Sequence, residues 1–324
     1  MPMPPGCSRL SCLLPCCCQA GEQPVRMLTT QYRMHPAISK WPAARFYEGA
    51  LHDAPHLRGA ATACAWHARR CLAPYVFYDV ADGKAEETNS SWRNDLEAQL
   101  ALCIVRHLLS AYPDKLEPRS IGIIAPYNGQ VRHVQRLLAE ALGTAVASKL
   151  EVNSVDGFQG REKEVVIMSC VRSDLHRDDA PRGVGFLKDA RRINVSMTRA
   201  RRSLFILGHA ETLRGASLWR ALLDDADARR CSIRAHAPVS IWFEAAVKEA
   251  APPPPAETPD EAADEAAATE AGGGAEAGEE PAAAPAAAAP KRQASGGARG
   301  KKTAAPPAAA EPVEPPDTKR RRAR

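Results

Sequence analysis

Three short stretches of this 324-residue chain are dense in side chains that bind phosphate or stack on bases. The longest is Asn153-Ser154-Val155-Asp156-Gly157-Phe158-Gln159-Gly160-Arg161-Glu162-Lys163, a polar loop with two glycines between two apolar runs. Glycine lets backbone N–H groups come close to a ligand. Ser154 and Asp156 can bond a phosphate and orient the loop, while Gln159 and Glu162 suit a nucleotide's phosphate water or its ribose. An ordinary connection with glycine at its turns accounts for the same pattern. A second stretch crowds Arg191, Arg192, Arg199, Arg201 and Arg202 into one region. Arginine pairs with phosphate oxygens through two parallel N–H groups and stays charged. Carried across a domain interface to a transferring phosphate, it acts as an arginine finger. Asn194, Thr198 and Arg201 fit one helical face there, and a solvated arginine face explains the charge equally well. The third stretch, Gln31-Tyr32-Arg33-Met34-His35-Pro36, sets an aromatic beside a guanidinium, so Tyr32 can stack on a base and Arg33 can meet a phosphate. His35 has no evident Ser, Cys or carboxylate partner and reads as a packed or capping residue.

Such loops need rigid elements to hold them. Five runs rich in Val, Ile, Leu and Phe, at 75–80, 121–126, 150–155, 164–171 and 204–208, read as strands that are mostly apolar on both faces. Between them Leu96, Leu100, Cys103, Ile104, His107 and Leu108 recur at helical spacing. Val131, Val134, Leu137, Leu138 and Leu142 do the same, stopped by Gly143. Alternating strand and helix predicts an α/β fold with a mostly parallel sheet, and ligands at the C-terminal ends of its strands. Ile124-Ala125-Pro126-Tyr127-Asn128-Gly129-Gln130 closes one strand and offers polar groups to a sugar-phosphate backbone.

Composition sets the outer limits. The net charge of +5 is mild, and its meaning lies in the arginine patch, which suits polyanions. Five of the ten cysteines fall within 1–18, and the rest show no disulfide framework, so a reducing compartment is expected. Cys64, His67 and Cys71 offer only three ligands, one short of a zinc site. No apolar run approaches the roughly 20 residues a bilayer needs, so no membrane partner is expected. The chain divides into an irregular Cys-rich start at 1–18, one domain at 19–243, and a tail at 244–324. The tail, rich in Ala, Pro, Glu, Gly and Lys and without an aromatic residue, cannot bury enough apolar surface to pack and reads as disordered. It ends in a basic cluster, Lys319-Arg320-Arg321-Arg322 with Arg324, a pattern of nuclear import or nonspecific nucleic-acid grip.

The stretches 31–51, 121–130, 152–173 and 185–208 resemble, in order and spacing, the later motifs of superfamily 1 helicases of the up-frameshift/senataxin branch. Ile38-Ser39-Lys40-Trp41-Pro42 and Gly185-Phe186-Leu187-Lys188-Asp189 are closest to the senataxin type. The resemblance implies a single RecA-like domain of P-loop NTPase type, the second of two that close on ATP and Mg²⁺. It implies a 5′-to-3′ motor on single-stranded RNA or DNA or on hybrids, acting as a monomer; the basic cluster suggests the nucleus, with the cytoplasm as an alternative. Carried over by position, it implies that Tyr32 stacks on adenine, Arg33 reaches the γ-phosphate, and Glu162 contacts the ribose with Gln159 and Gly160 nearby. Arg199 is then the finger, and Pro126, Tyr127 and Ser154 face the nucleic-acid backbone. The family also needs a first RecA-like domain with a Gly-x-x-x-x-Gly-Lys-Ser/Thr loop, and no segment here matches it. This chain alone is therefore expected to be inactive as an ATPase, and to be a fragment or a truncated reading of its gene. The alternatives are a nucleic-acid-binding module without turnover and, more remotely, a structural protein acting through its tail.

Overall fold

The computed structural model describes residues 27–173 and 185–250. The Cys-rich start, the tail beyond 250 and the basic cluster lie outside the described residues. The described course opens on a short parallel pair, β1 (Thr30–Gln31) and β2 (His52–Asp53), spanned by α1 (Pro36–Phe46). Pro36 opens α1, where a missing N–H costs nothing, and the His35 ring caps it by accepting from the Ala37 N–H at 3.0 Å. Next come β3 (Tyr75–Asp79), the hairpin β4 (Ala85–Thr88) and β5 (Ser91–Asn94), and α2 (Asp95–Ala111). They are followed by β6 (Ile121–Ile124), α3 (Asn128–Leu142), the single turn α4 (Thr144–Ala147), β7 (Glu151–Asn153) and β8 (Lys163–Ser169). The remainder is α5 (Ala190–Met197), β9 (Ala200–Gly208), α6 (Ala210–Arg214), α7 (Ser217–Ala228), β10 (Ser232–Arg234) and α8 (Val239–Ala246).

Six strands form one sheet in the order β10-β3-β9-β8-β6-β7, parallel at every pairing. Side chains alternate across a strand, so each apolar run feeds two cores. Phe205 and Leu207 of β9 pack with Leu100, Ile104 and Leu108 of α2 and Val134 of α3 on one face. Leu204 and Ile206 pack with Ile38 of α1, Ile193 of α5 and Trp219 of α7 on the other. Each such fully buried side chain contributes roughly 1.5–3 kcal/mol. The fold is thus the expected α/β, RecA-like type with a mostly parallel sheet.

Gly143 ends α3 as expected, at φ +79, a left-handed value that favours glycine. Three elements had no apolar signal to announce them. The β4–β5 hairpin carries Glu86, Glu87 and Arg93, and β10 is three residues at the sheet edge. α8 runs past the expected boundary at 243 because Phe243 and Val247 continue the face packed on the α2 core. Arg70 then receives the chain, its N–H donating to the Glu249 carbonyl at 3.2 Å. The five described cysteines are free thiols. Among the described residues no helix is long and apolar enough to cross a membrane.

Candidate functional site

Gln31, at the end of β1, builds the first loop from within. Its side-chain oxygen accepts from the Arg33 N–H at 2.9 Å and the Met34 N–H at 2.7 Å, while its amide donates to the Met34 carbonyl at 2.8 Å. The loop is then sewn to β9 where His35 N–H donates to the Arg201 carbonyl at 2.8 Å. A second seam joins Lys163 N–H to the Arg199 carbonyl at 3.0 Å. These two bonds bring all three motifs to one place, the N-terminal ends of β8 and β9.

There Arg33 and Arg201 share one carboxylate. Arg33 Nε donates to Glu162, and Arg201 Nη2 donates to its other oxygen at 3.0 Å. The row continues through Glu164, which lies 3.5 Å from Arg201 Nη1 and 3.4 Å from Arg202 Nε. Partial burial alone would raise the Glu162 carboxyl, but the bonds and charges of Arg33 and Arg201 outweigh it and hold the group below its ordinary value. Arg199 is anchored differently. Its Nε donates to the Val195 carbonyl at 2.9 Å, Nη1 to the Arg161 carbonyl at 3.3 Å, and Nη2 to Thr198 Oγ1 at 3.2 Å. Burial first, and then the charge of Arg33, lower its guanidinium from the ordinary value. Cations gathered this closely favour an anion between them.

Tyr32 stands beside this row with 69% of its surface exposed, its ring stacked 6.0 Å from that of His56 at 18°. Gly160 turns the chain toward Glu162 at φ +79, and Gln159 before it is exposed.

The second group lies at the opposite end of the sheet. Pro126 follows β6 and Ser154 follows β7; both line a depression with Met168, Leu187, Asp156 and Arg192. Arg192 Nη2 pairs with Asp156 Oδ2 at 3.0 Å, and the Ser154 hydroxyl accepts from the Gly157 N–H at 3.3 Å. Asn153 and Met168 both register against Ile124, and Glu162 precedes Met168 by the length of β8. The two ends of the 153–163 loop are therefore about 20 Å apart at the usual strand rise.

Three expectations change. Pro126 and Ser154 lie at C-terminal strand ends, where ligands are expected, whereas Arg33, Glu162 and Arg199 lie at the opposite end, because 153–163 crosses the sheet lengthwise. Arg201 does not share a helical face with Asn194 and Thr198, since α5 ends at Met197 and Arg201 belongs to β9. Tyr127 does not offer its ring to the surface: it is 6% exposed, with its hydroxyl beside Gly185. Gln31 and Glu164 carry as much of the geometry as the residues singled out from the sequence. Gln31 stood inside a noted hexapeptide, but only its burial reveals its role as an internal brace.

The AAA domain family matches residues 11–211 of this chain. Among similar proteins, Probable helicase MAGATAMA 3 of Arabidopsis thaliana is 39% identical over 228 residues, covering 69% of this chain and 27% of its own length. Helicase SEN1 of Saccharomyces cerevisiae is 40% identical over 208 residues, 63% of this chain and 9% of its own. Probable helicase senataxin of Homo sapiens is 35% identical over 211 residues, 65% of this chain and 8% of its own. The chain thus spans about a quarter or less of each relative.

Proposed function

The chain belongs to the AAA domain family, in the senataxin and up-frameshift branch of superfamily 1 helicases, and from that membership we propose that it serves as the second RecA-like motor domain of an ATP-dependent, 5′-to-3′ helicase. The observation that supports this most is the meeting of Arg33, Arg199, Arg201 and Glu162, from three separate motifs, with the exposed Tyr32 beside them. Such a row suits a triphosphate that a first RecA-like domain presents from across a cleft.

ATP would supply the transferable phosphoryl group, and Mg²⁺ would offset the negative charge of its phosphates. Arg33 and Arg199 stabilise the charge on the γ-phosphoryl oxygens, Arg199 as the finger. Tyr32 stacks on adenine, and Glu162, with Gln159 and Gly160 shaping the approach, meets the ribose. Pro126 and Ser154 track the backbone of single-stranded RNA or DNA, with Tyr127 holding the turn behind them. Backbone tracking needs phosphate contacts and stacking rather than base-edge readout. The protein works as a monomer in the nucleus, to which the basic cluster at 319–324 directs it.

The test is oligonucleotide-stimulated ATP turnover, measured on this chain alone and on the chain joined to the first motor domain of SEN1. Turnover only in the joined protein supports the reading. Absence of turnover in both favours a second reading, a nucleic-acid-binding module without hydrolysis.

A further inference from the structure

Behind the strand-facing end of the sheet lies a polar cluster with no part in the chemistry above. Asn94, Glu97, Gln130 and Ser169 are each 0% exposed. Glu97 Oε2 accepts from the Ser169 hydroxyl at 2.6 Å and the Val171 N–H at 2.9 Å, and Oε1 accepts from Asn94 Nδ2 at 3.3 Å. The same Asn94 amide donates to the Val171 carbonyl at 3.2 Å. Both backbone polar groups of Val171 are thus taken by side chains at the start of α2.

Val171 needs such a hold. Its φ is +71, and the Arg172 N–H closes a three-residue turn on the Cys170 carbonyl at 2.8 Å. A β-branched residue in the left-handed region is strained and persists only where its surroundings over-determine it. Gln130 ties the cluster to α3. Its oxygen accepts from the Asn94 N–H at 2.8 Å, and its amide donates to the Asn94 carbonyl and to Ser169 Oγ, each at 3.0 Å. α3 begins just after Pro126 and Tyr127, and Ser169 follows Met168; Pro126 and Met168 both line the depression that also holds Ser154 and Arg192.

We propose that Glu97 is a positioning residue for the strand-binding face: its buried carboxylate holds the Val171 turn and, through Ser169 and Gln130, sets β8 against the start of α3. The inference rests on reading that depression as the nucleic-acid surface. Its chemistry has a consequence that a purely structural role lacks. Ionised Glu97 makes its three accepted bonds strongest, so the turn is held tightest when the group is charged. Burial opposes that charge and pushes the carboxyl up to about 7, against the bonds from Ser169 and Val171. A carboxyl raised in the fold contributes stability below its unfolded value and loses it as pH rises through the folded value. Stability and strand affinity therefore move in opposite directions across neutrality.

Among the described residues, the titratable or charged groups on the elements around Glu97 include Asp95 and His133, paired at 2.7 Å, Cys170, and Arg172 over the Trp92 ring at 4.2 Å. Burial and the Glu97 charge push the Cys170 thiol well above its ordinary value. His133, paired with Asp95, links the start of α2 to α3 beside this cluster, so His133→Gln serves as the control.

The experiment uses the full chain and a fluorescent oligouridylate of about 12 nucleotides. Anisotropy at fixed salt is read from about pH 6 to about pH 8.5, with thermal midpoints taken alongside. Relative to Glu97→Gln, the wild-type Kd should tighten about fivefold as pH rises through about 7, while its thermal midpoint falls. His133→Gln should keep that profile. Parallel profiles for wild type and Glu97→Gln overturn the proposal. So does an affinity loss in Glu97→Gln that follows its stability loss at every pH. Should Glu97→Gln fail to fold, Ser169→Ala removes the same link and should weaken binding; unchanged binding is then the overturning result. Binding that Arg192→Ala weakens but Glu97→Gln leaves alone sinks the positioning role only. No binding by the wild type sinks the strand-binding reading as well.

Discussion

Arg33 and Arg199 are held differently, and the difference predicts how each behaves. Arg33 donates Nη1 to the Thr198 carbonyl at 3.0 Å, but its Nε leans on a half-exposed carboxylate, an ion pair of the kind that contributes about 0–1 kcal/mol, so an arriving phosphate can replace Glu162. Arg199 is fixed by two backbone carbonyls and a hydroxyl, which no ligand displaces and which leave N–H groups to spare on the guanidinium. In the joined two-domain protein, Arg199→Ala should lower ATP turnover by about 10³-fold. Arg199→Lys should fail to restore it, because a lysine has no planar fork. Steady-state turnover near wild type would remove Arg199 from the site. Tyr32→Ala should weaken nucleotide binding, seen as a raised Kd for a fluorescent ATP analogue, and affect oligonucleotide binding less when nucleotide is absent. Gly160 tests the loop itself. An added Cβ there meets open space, so Gly160→Ala is opposed by its φ of +79 alone and should cost about 1 kcal/mol in denaturant unfolding.

At the scale of elements, the 153–163 segment works as a strap. Phe158, 0% exposed, lies over Gly122 of β6 so closely that a Cβ at Gly122 would come within 2.8 Å of its ring. Gly122→Val should therefore lift the strap, cost about 1–3 kcal/mol, and disturb both ends of the sheet together. Loss of one site without the other would show that the strap does not couple them. A second fastening joins the 65–72 segment to β9. His67 Nδ1 accepts from the Cys64 N–H at 3.1 Å, so its proton sits on Nε2, 3.0 Å from Ser203 Oγ, which also receives Trp66 Nε1 at 2.9 Å. The His35 ring meets that of His67 edge-on at 5.6 Å. Burial first, then nearby positive charge including Arg202, lowers His35 to about 4 and His67 to about 3. Groups depressed in the fold contribute stability above their unfolded value and lose it as pH falls. The thermal midpoint should thus drop between pH 6.5 and about 4, and His67→Gln should flatten part of that drop. An unchanged acid limb would exclude this pair as its source.

For the whole molecule, separation of the two groups by the length of β8 fits the proposed motor, in which one end of the sheet would meet phosphate from a partner domain and the other a strand. Arg192 in the strand-facing depression predicts a salt-dependent grip. Oligonucleotide affinity should fall with ionic strength at a log–log slope of about 0.7 for each phosphate neutralised. Arg192→Ala should reduce that slope by about one contact's worth. A flat salt dependence would remove the backbone-tracking assignment of Pro126, Ser154 and Arg192.

Much of this was readable in the residues. The apolar runs at 75–80, 121–126 and 164–171 read as covered strands, Gly143 read as a helix stop, and the Gln-Tyr-Arg and Arg-rich stretches carry their chemistry in their residue types. What tertiary structure alone decided is which residues share a place. Glu97 meets Val171 across 74 positions, and Arg33 meets Glu162 across 129. No local periodicity records such pairings. Arg201 belongs to a strand instead of the helix face its spacing suggested, because pairing with β8 outweighs a short helix's weak local preference. The sheet end on which Glu162 lies was hidden for a related reason. Composition marks the residues of a crossing loop, whereas its direction follows from β7 and β8 being parallel neighbours of β6, a non-local choice made by burial of both sheet faces.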